Sequence, residues 1–454
     1  MEWKETEFGR IPHDWKVTKL SNLCIEKGGI QTGPFGSQLH QKDYVLNGHP
    51  IITVEHLGEN RILHINLPNV SSAYKVRLTK YILKENDIVF SRVGSVDRRA
   101  LVRKNEEGWL FSGRCLRVRV KNELINPIFL SWYFGLPAFK DYIRRIAVGA
   151  TMPSLNTQLL RNVPIIVPPL SEQRAIAHIL GSLDDMIELN RQMNETLEAM
   201  ARVLFKSWFV DFDPVRARAE GRDPGLPPDI ANLFPDSFED SELGLIPKGW
   251  KVKNIGDMTR CVGGATPDTK NSNYWEGGKI HFATPKDMSS LKSPILFNTD
   301  RCITDDGVNK IGSRILPKGT VLLSSRAPIG YLAITEIPVS INQGIIAMIC
   351  DKGIPNYYVV FWAKANMDKI IGNANGTTFQ EISKQNFRPM KILIPSPGIL
   401  EMFTLQLEPI YSNLAINLKE SQFLSNIRDT LLPKLISGEI RVPDAEKFIK
   451  KNLE

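Results

Sequence analysis

The chain has 454 residues, enough for two or three domains that each bury a core, and its 42% hydrophobic and 23% charged residues are ordinary for a water-soluble protein. No run is apolar for long enough to span a membrane and Met1 to Phe8 is too charged for a secretory signal, so a cytoplasmic protein with no membrane partner is expected. The five cysteines, Cys24, Cys115, Cys261, Cys302 and Cys350, are odd in number and never form a CxxC pair, and the seven histidines never fall at metal-ligand spacing; free thiols and no metal are expected.

The net charge of +8 divides unevenly. Residues 1–170 hold 24 Lys and Arg against 15 Asp and Glu, and residues 240–397 hold 19 against 13. The rest of the chain is acidic, which suggests two polyanion-binding modules on an acidic or neutral spacer.

The first predicted domain, 1–170, opens with Gly9-Arg10-Ile11-Pro12-His13-Asp14-Trp15, a turn leading into a strand. In Gly28 to Ser37 the glycines permit close backbone approach and expose N–H groups that could hold a phosphate. Gln31, Thr32, Gly33, Phe35, Gly36 and Ser37 are its candidate DNA contacts. Arg92 follows a buried-looking strand, and Arg98, Arg99 and Arg114 thicken the basic patch; a guanidinium suits guanine or phosphate, with a surface ion pair as the alternative. Thr151, in Gly149-Ala150-Thr151, either touches the DNA backbone or shapes the return to the frame.

A central helix over 171–212 is expected next. Ile176, Leu183, Asn190, Leu197 and Leu204 recur every seventh residue, and Ile179, Met186, Met193, Met200 and Ser207 fill a second heptad row. At about 1.5 Å per residue its heptad stretch, 171–209, runs roughly 57 Å. The linker 213–239 is rich in Pro, Gly and charge.

The second domain, 240–397, repeats the first. Gly244 to Val252 restates the opening at an offset of 235, Ser325-Arg326 aligns with Ser91-Arg92 at 234, and Gly376-Thr377-Thr378 aligns with Gly149-Ala150-Thr151 at 227. Its candidate DNA contacts are Thr266, Lys270, Lys286, Arg326, Asn342, Gln343, Thr377 and Thr378. Asn and Gln suit adenine edges, yet Asn342-Gln343 could equally cap a turn. A distal helix over 398–437 carries Phe403, Ile410, Asn417, Leu424 and Leu431, joined by Leu400, Leu407 and Leu414, before a tail over 438–454. If the helices pair antiparallel, Asn190 and Asn417 meet at the centre of the seam and fix its register; otherwise each helix lies on its own core. The fold class read here is α+β: two globular domains separated by two long antiparallel helices forming a coiled coil, with an internal pseudo-two-fold repeat.

This order of parts resembles the specificity subunits of type I restriction-modification systems. The resemblance is carried by Gly33-Pro34-Phe35-Gly36-Ser37-Gln38-Leu39, by Gly263-Gly264-Ala265-Thr266-Pro267 with Tyr274-Trp275, and by Pro168-Pro169-Leu170-Ser171-Glu172-Gln173-Arg174. Leu204-Phe205-Lys206-Ser207-Trp208-Phe209 and Leu431-Leu432-Pro433-Lys434-Leu435-Ile436-Ser437-Gly438 complete it. It implies two target recognition domains that each read one half of a split, asymmetric duplex DNA site. It also implies helices that set the spacer and recruit two adenine methyltransferase subunits, with two restriction/translocase subunits able to join. S-adenosylmethionine, ATP and Mg would then sit on those partners, with no cofactor bound directly by this chain. One departure is Pro395-Ser396-Pro397-Gly398-Ile399, which lacks the Glu172-Gln173 pair of the first helix start.

The residues also argue against catalysis within the chain. An amino-methyltransferase needs Asn or Asp before Pro-Pro and an aromatic, and neither Val167-Pro168-Pro169-Leu170 nor Leu226-Pro227-Pro228-Asp229 offers that. Gly263 to Lys270 lacks P-loop spacing. The rival readings are the recognition chain of a type II fused restriction-modification enzyme and a coiled-coil protein adaptor.

Overall fold

The computed structural model describes residues 2–6, 9–326, 328–376 and 380–453. Its chain falls into two compact units, one taking residues up to Leu189 and from Glu420 onward, the other Asn190–Lys419. Thr377 and Thr378 lie outside the described residues.

In the first unit a five-stranded sheet is built from β1 (Ile30–Thr32), β2 (Glu59–Asn60), β3 (Ile88–Ser91), β4 (Arg99–Leu101) and β5 (Cys115–Val118), in the order β1-β5-β3-β4-β2. All neighbours are antiparallel except β2 beside β4. β3 and β5 are buried at every position, so neither alternates between apolar and polar residues, and Arg117 in β5 is enclosed with its apolar neighbours. A second sheet joins Leu110–Phe111, His49–Ile52, Asn69–Val70 and Tyr44–Val45.

In the second unit β6 (Arg260–Gly263), β7 (Ile295–Leu296), β8 (Val321–Ser325), β9 (Ile329–Thr335) and β10 (Ile345–Ile349) repeat that sheet as β6-β10-β8-β9-β7, again with one parallel pair, β7 beside β9. Both units open on a hairpin whose second strand begins with a positive-φ glycine, Gly9 (φ +96°) or Gly244 (φ +88°). Both close on a two-stranded pairing, Pro164–Val167 with Lys16–Lys19 and Lys391–Ile394 with Lys251–Asn254. The internal repeat is therefore a repeat of topology.

The closing strands lead into the long helices α1 (Leu170–Phe209, 40 residues) and α2 (Pro397–Ser437, 41 residues). Prolines before or at each start suit the first turn, where a missing N–H costs nothing. The chain leaves α2 through Gly438 at φ +77°, where a Cβ would lie 2.6 Å from Pro12 Cγ and 3.2 Å from Trp15, so glycine is required twice over.

Within each unit the helix segments run antiparallel. In the second, Asn194 meets Asn417 and Phe205 meets Phe403, so numbers rise on one helix as they fall on the other. In the first, Arg428 reaches Asp184, and Arg441, just beyond α2, pairs with Glu172 at the start of α1. The leucine rows of α2 pack inward, with Leu407, Leu414, Leu424 and Leu431 buried.

One heptad row of α1 differs from expectation. Met186, Met193 and Met200 are 41%, 43% and 55% exposed. The row beside Ile176, Leu183 and Asn190 is instead Leu180, Ile187, Asn194, Ala201 and Trp208, buried or largely so. Both rows are apolar in sequence and flank the same first row, one at i+3 and one at i+4; the globular cores select the i+4 side. The polar centre draws on the same side. Asn417 Nδ2 donates to Asn194 Oδ1 at 2.9 Å, and the expected Asn190 is also buried one turn away.

Candidate nucleic-acid interface

Both sheets end in a rim built by the same backbone wiring. In the first unit Arg92 N–H bonds Arg114 O, Leu155 N–H bonds Arg92 O, and Ser154 bridges both Val93 and Val148. In the second, Ser325 N–H bonds Gly344 O, Ile382 N–H bonds Ser325 O, and Glu381 bridges both Arg326 and Asn375. Strand register agrees, with Ser91 opposite Cys115 and Ser324 opposite Ile345. The structural equivalents are therefore Arg92 with Ser325 and Val93 with Arg326. This corrects the sequence alignment of Arg92 with Arg326 by one residue, and along a strand one residue exchanges the two faces.

The glycine-rich loop of the first rim is clamped at one end and free at the other. A Cβ on Gly33 would sit 2.1 Å from Ser112 O, and Pro34 is buried against Gly113. Gly36 then turns at φ +60° in open space. Between them Phe35 stands 62% exposed. Gln31 is already engaged, since its Oε1 accepts from Arg117 Nη2 at 2.7 Å. Thr32 is half-buried and pairs with Leu116, and Gly36–Gln38, with Ser37 at its middle, forms one 3-10 turn.

The arginines separate by burial. Arg114 is exposed and has no side-chain partner among the described residues. Arg92 is half-buried, its Nη1 donating to Gly113 O at 3.2 Å while its Nε lacks a partner among the described residues. Arg98 donates to Leu57 O. Arg99 is only 2% exposed, its Nε donates to Ser131 O at 2.8 Å, and burial pulls its guanidinium pKa down to about 10. Register makes Leu332 its counterpart in the second unit, so Arg99 is a core residue and leaves the candidate interface. Thr151 is exposed beside Met152 on the loop that Ser154 closes.

In the second rim Gly264 approaches the backbone still more closely, a Cβ there falling 1.8 Å from Ile341 O. Thr266 donates to Gln343 Oε1 at 2.5 Å, which brings two expected contacts together on the surface. Lys270 is exposed, and Lys286 is exposed but paired with Asp300 at 2.8 Å. Arg326 stands 3.8 Å from Glu381 in a loose ion pair. Asn342 caps a turn, its Oδ1 accepting from Gly344 N–H at 2.9 Å. Glu381 escaped the sequence reading, although the offset of 227 that aligns the threonine loops also aligns it with Ser154.

The remaining chemistry is sparse. Among the described residues no three His, Cys, Asp or Glu side chains gather as a metal site, and no helix is long and apolar enough to cross a membrane. Cys24 and Cys115 are buried free thiols whose pKa burial pushes up to about 12.

Comparison with known proteins adds to these observations. The family model described as "Type I restriction modification DNA specificity domain" matches residues 12–199 and 247–403. The type I restriction enzyme HindI specificity subunit of Haemophilus influenzae is 26% identical, covering 94% of this chain and 100% of its own length. The MjaIX specificity subunit of Methanocaldococcus jannaschii is 25% identical, covering 98% and 97%. The crystal structure of a type I restriction-modification S subunit from M. genitalium shares the fold, with a TM-score of 0.58 and 15% identity over 94% of this chain and 96% of that one. With the duplicated sheet, the two rims and the helix pair in place, the chain belongs to the type I restriction modification DNA specificity domain family.

Proposed function

We propose that this chain is the non-catalytic DNA-recognition subunit of a type I restriction-modification complex, each rim reading one half of a bipartite, asymmetric site. The observation that carries this reading is the pair of rims: identical backbone wiring presents different side chains, Arg114 against Gly344 and Val93 against Arg326. One scaffold with two surfaces suits two unlike half-sites. Arginine can bond guanine O6 and N7 together, and clamped glycines let backbone N–H groups approach phosphate.

The helices α1 and α2 then act as a ruler for the unread spacer and as the seat of partner subunits. Met193, Met200 and Val203 in the second unit's part of α1, with Val210 just past its end, are exposed at heptad spacing, a stripe suited to helices of the methyltransferase subunits. S-adenosylmethionine, ATP and magnesium belong on the methyltransferase and restriction subunits, and the target adenine is flipped into the former.

Titration of the chain with a duplex carrying its methylation site, at rising salt, tests the reading. Affinity should fall steeply, with log K linear in log salt, and scrambling either half-site should weaken it. Binding that is absent, or indifferent to salt, would support a protein adaptor instead.

A further inference from the structure

Deep in the first unit one carboxylate holds three arginines from three different elements. Asp184, on α1 and 4% exposed, receives Arg61 Nε at 3.0 Å and Nη2 at 2.8 Å, Arg428 Nη1 at 3.1 Å and Arg103 Nη2 at 3.5 Å. Arg61 follows edge strand β2 directly, and its Nη2 also meets Asp184 O and Asp185 Oδ1, each at 3.0 Å. Arg103 lies just past β4, while Arg428 comes from α2 and sets its guanidinium 5.6 Å from the Trp132 ring. The backbone at this edge is committed to the arrangement. Asn60, buried at φ +60°, turns the chain in the left-handed region immediately before Arg61 and accepts from Ser131.

The second unit has no such cluster at the matching place among its described residues. At the repeat offset of 227 the counterpart of Asp184 is Tyr411, packed against Tyr357 at 4.6 Å and Phe361 at 6.4 Å between ring centroids. The ions nearby, Lys364 and Glu198, stand 3.9 Å apart. One domain is thus seated on its helices by a buried charge hub and the other by tilted and edge-on aromatic rings.

We infer that Asp184 is a positioning residue for DNA reading, fixing the first recognition domain on its helix segments so that the first half-site, and not the second, depends on it. The physical ground is asymmetry of loss. Removing the carboxylate takes the shared buried partner from three half-buried guanidinium groups, leaving Arg61 only the exposed Asp185 and Arg428 only the exposed Asp429, which is far more costly than removing an exposed pair. Their mutual repulsion loosens β2, β4 and α2 together. A recognition rim tolerates little of this, because hydrogen bonds to base edges require placement within a fraction of an ångström. The aromatic seat of the second unit carries no charge to strand.

The inference rests on the DNA-recognition reading above, and the test separates the two. Probes are the duplex bearing the methylation site mapped in the host, and two copies with one or the other half-site scrambled. The half-site whose discrimination falls in Arg114→Ala is assigned to the first domain. Asp184→Asn should lose roughly tenfold of discrimination at that half-site, within the range of a lost base contact, and leave the other within about twofold. Asp184→Glu should recover most of the loss, which a packing defect would not allow. Equal losses at both half-sites, or none in folded Asp184→Asn protein, overturn the inference. If Asp184→Asn does not fold, Arg61→Met, which leaves Arg428 on the carboxylate, takes its place: a loss confined to the first half-site supports the inference, and equal losses or none overturn it. Failure of the unaltered chain to discriminate any half-site would instead remove the DNA-recognition reading itself.

Discussion

Arg99 and Arg114 carry the same charge in the same basic patch, yet the fold encloses one and leaves the other in solvent. The difference predicts opposite phenotypes. Arg114→Ala should weaken reading of one half-site by about 1–3 kcal/mol if the guanidinium meets a base, with the thermal midpoint unchanged. Arg99→Ala should destabilise the first unit by roughly 2–3 kcal/mol, because it opens a cavity and leaves Ser131 O without its donor. Arg99→Leu, which copies Leu332 of the second unit, should restore most of that stability without harm to DNA reading; urea denaturation compares the two. Alkylation at pH 8 should spare Cys24 and Cys115 until the chain unfolds, since their raised pKa keeps both as thiols. Residue spacing could nominate the patch, but burial of Arg99 depends on Ser131 and Gly135, which lie on and just past a later helix, and spacing alone does not contain that information. The engagement of Gln31 is hidden for the same reason: its partner Arg117 is distant in sequence and joins it only when β1 pairs with β5.

The long helices show what heptad reading can and cannot resolve. Their existence and Asn-containing first row were legible, because forty residues of apolar periodicity have few alternatives, whereas α1 ends at Phe209, short of the expected 212. The choice between the flanking rows was not, since Met186, Met193 and Met200 look as apolar as Leu180, Ile187 and Ala201. That choice makes Asn194 a partner of Asn417. Asn194→Leu combined with Asn417→Leu should keep or raise the melting temperature while broadening the register of the pair, which methylation at relaxed sites would reveal; unchanged specificity would deny the asparagines a registering role. The exposed methionine row has a separate expectation. Met200→Glu with Val203→Glu should reduce co-purification of methyltransferase subunits while DNA affinity of the isolated chain holds. Loss of both together would mean that the substitutions unfold the helix.

At the scale of the whole chain, the duplication was readable from three short matches in the same order, which fall at the opening hairpin, at the end of β3 or β8 and, for the Thr151 copy, in the loop ahead of the closing strand. The order of strands was not readable, because β2, β7 and most strands of the second sheets are too short to carry a periodic signal. Division of charge also survives as an argument: basic globular parts and an acidic remainder fit two DNA contacts on a protein-binding frame. Removing one heptad from α1 and α2 together should shorten the unread spacer while both half-sites persist; an unchanged spacer would end the ruler proposal. The central claim, one chain reading two unlike half-sites, is met most directly by mapping methylated adenines across a host genome with and without this gene. It predicts a single asymmetric motif of two short parts separated by a fixed number of unread bases, present only with the gene. A continuous or palindromic motif, or a methylation pattern indifferent to the gene, would contradict it.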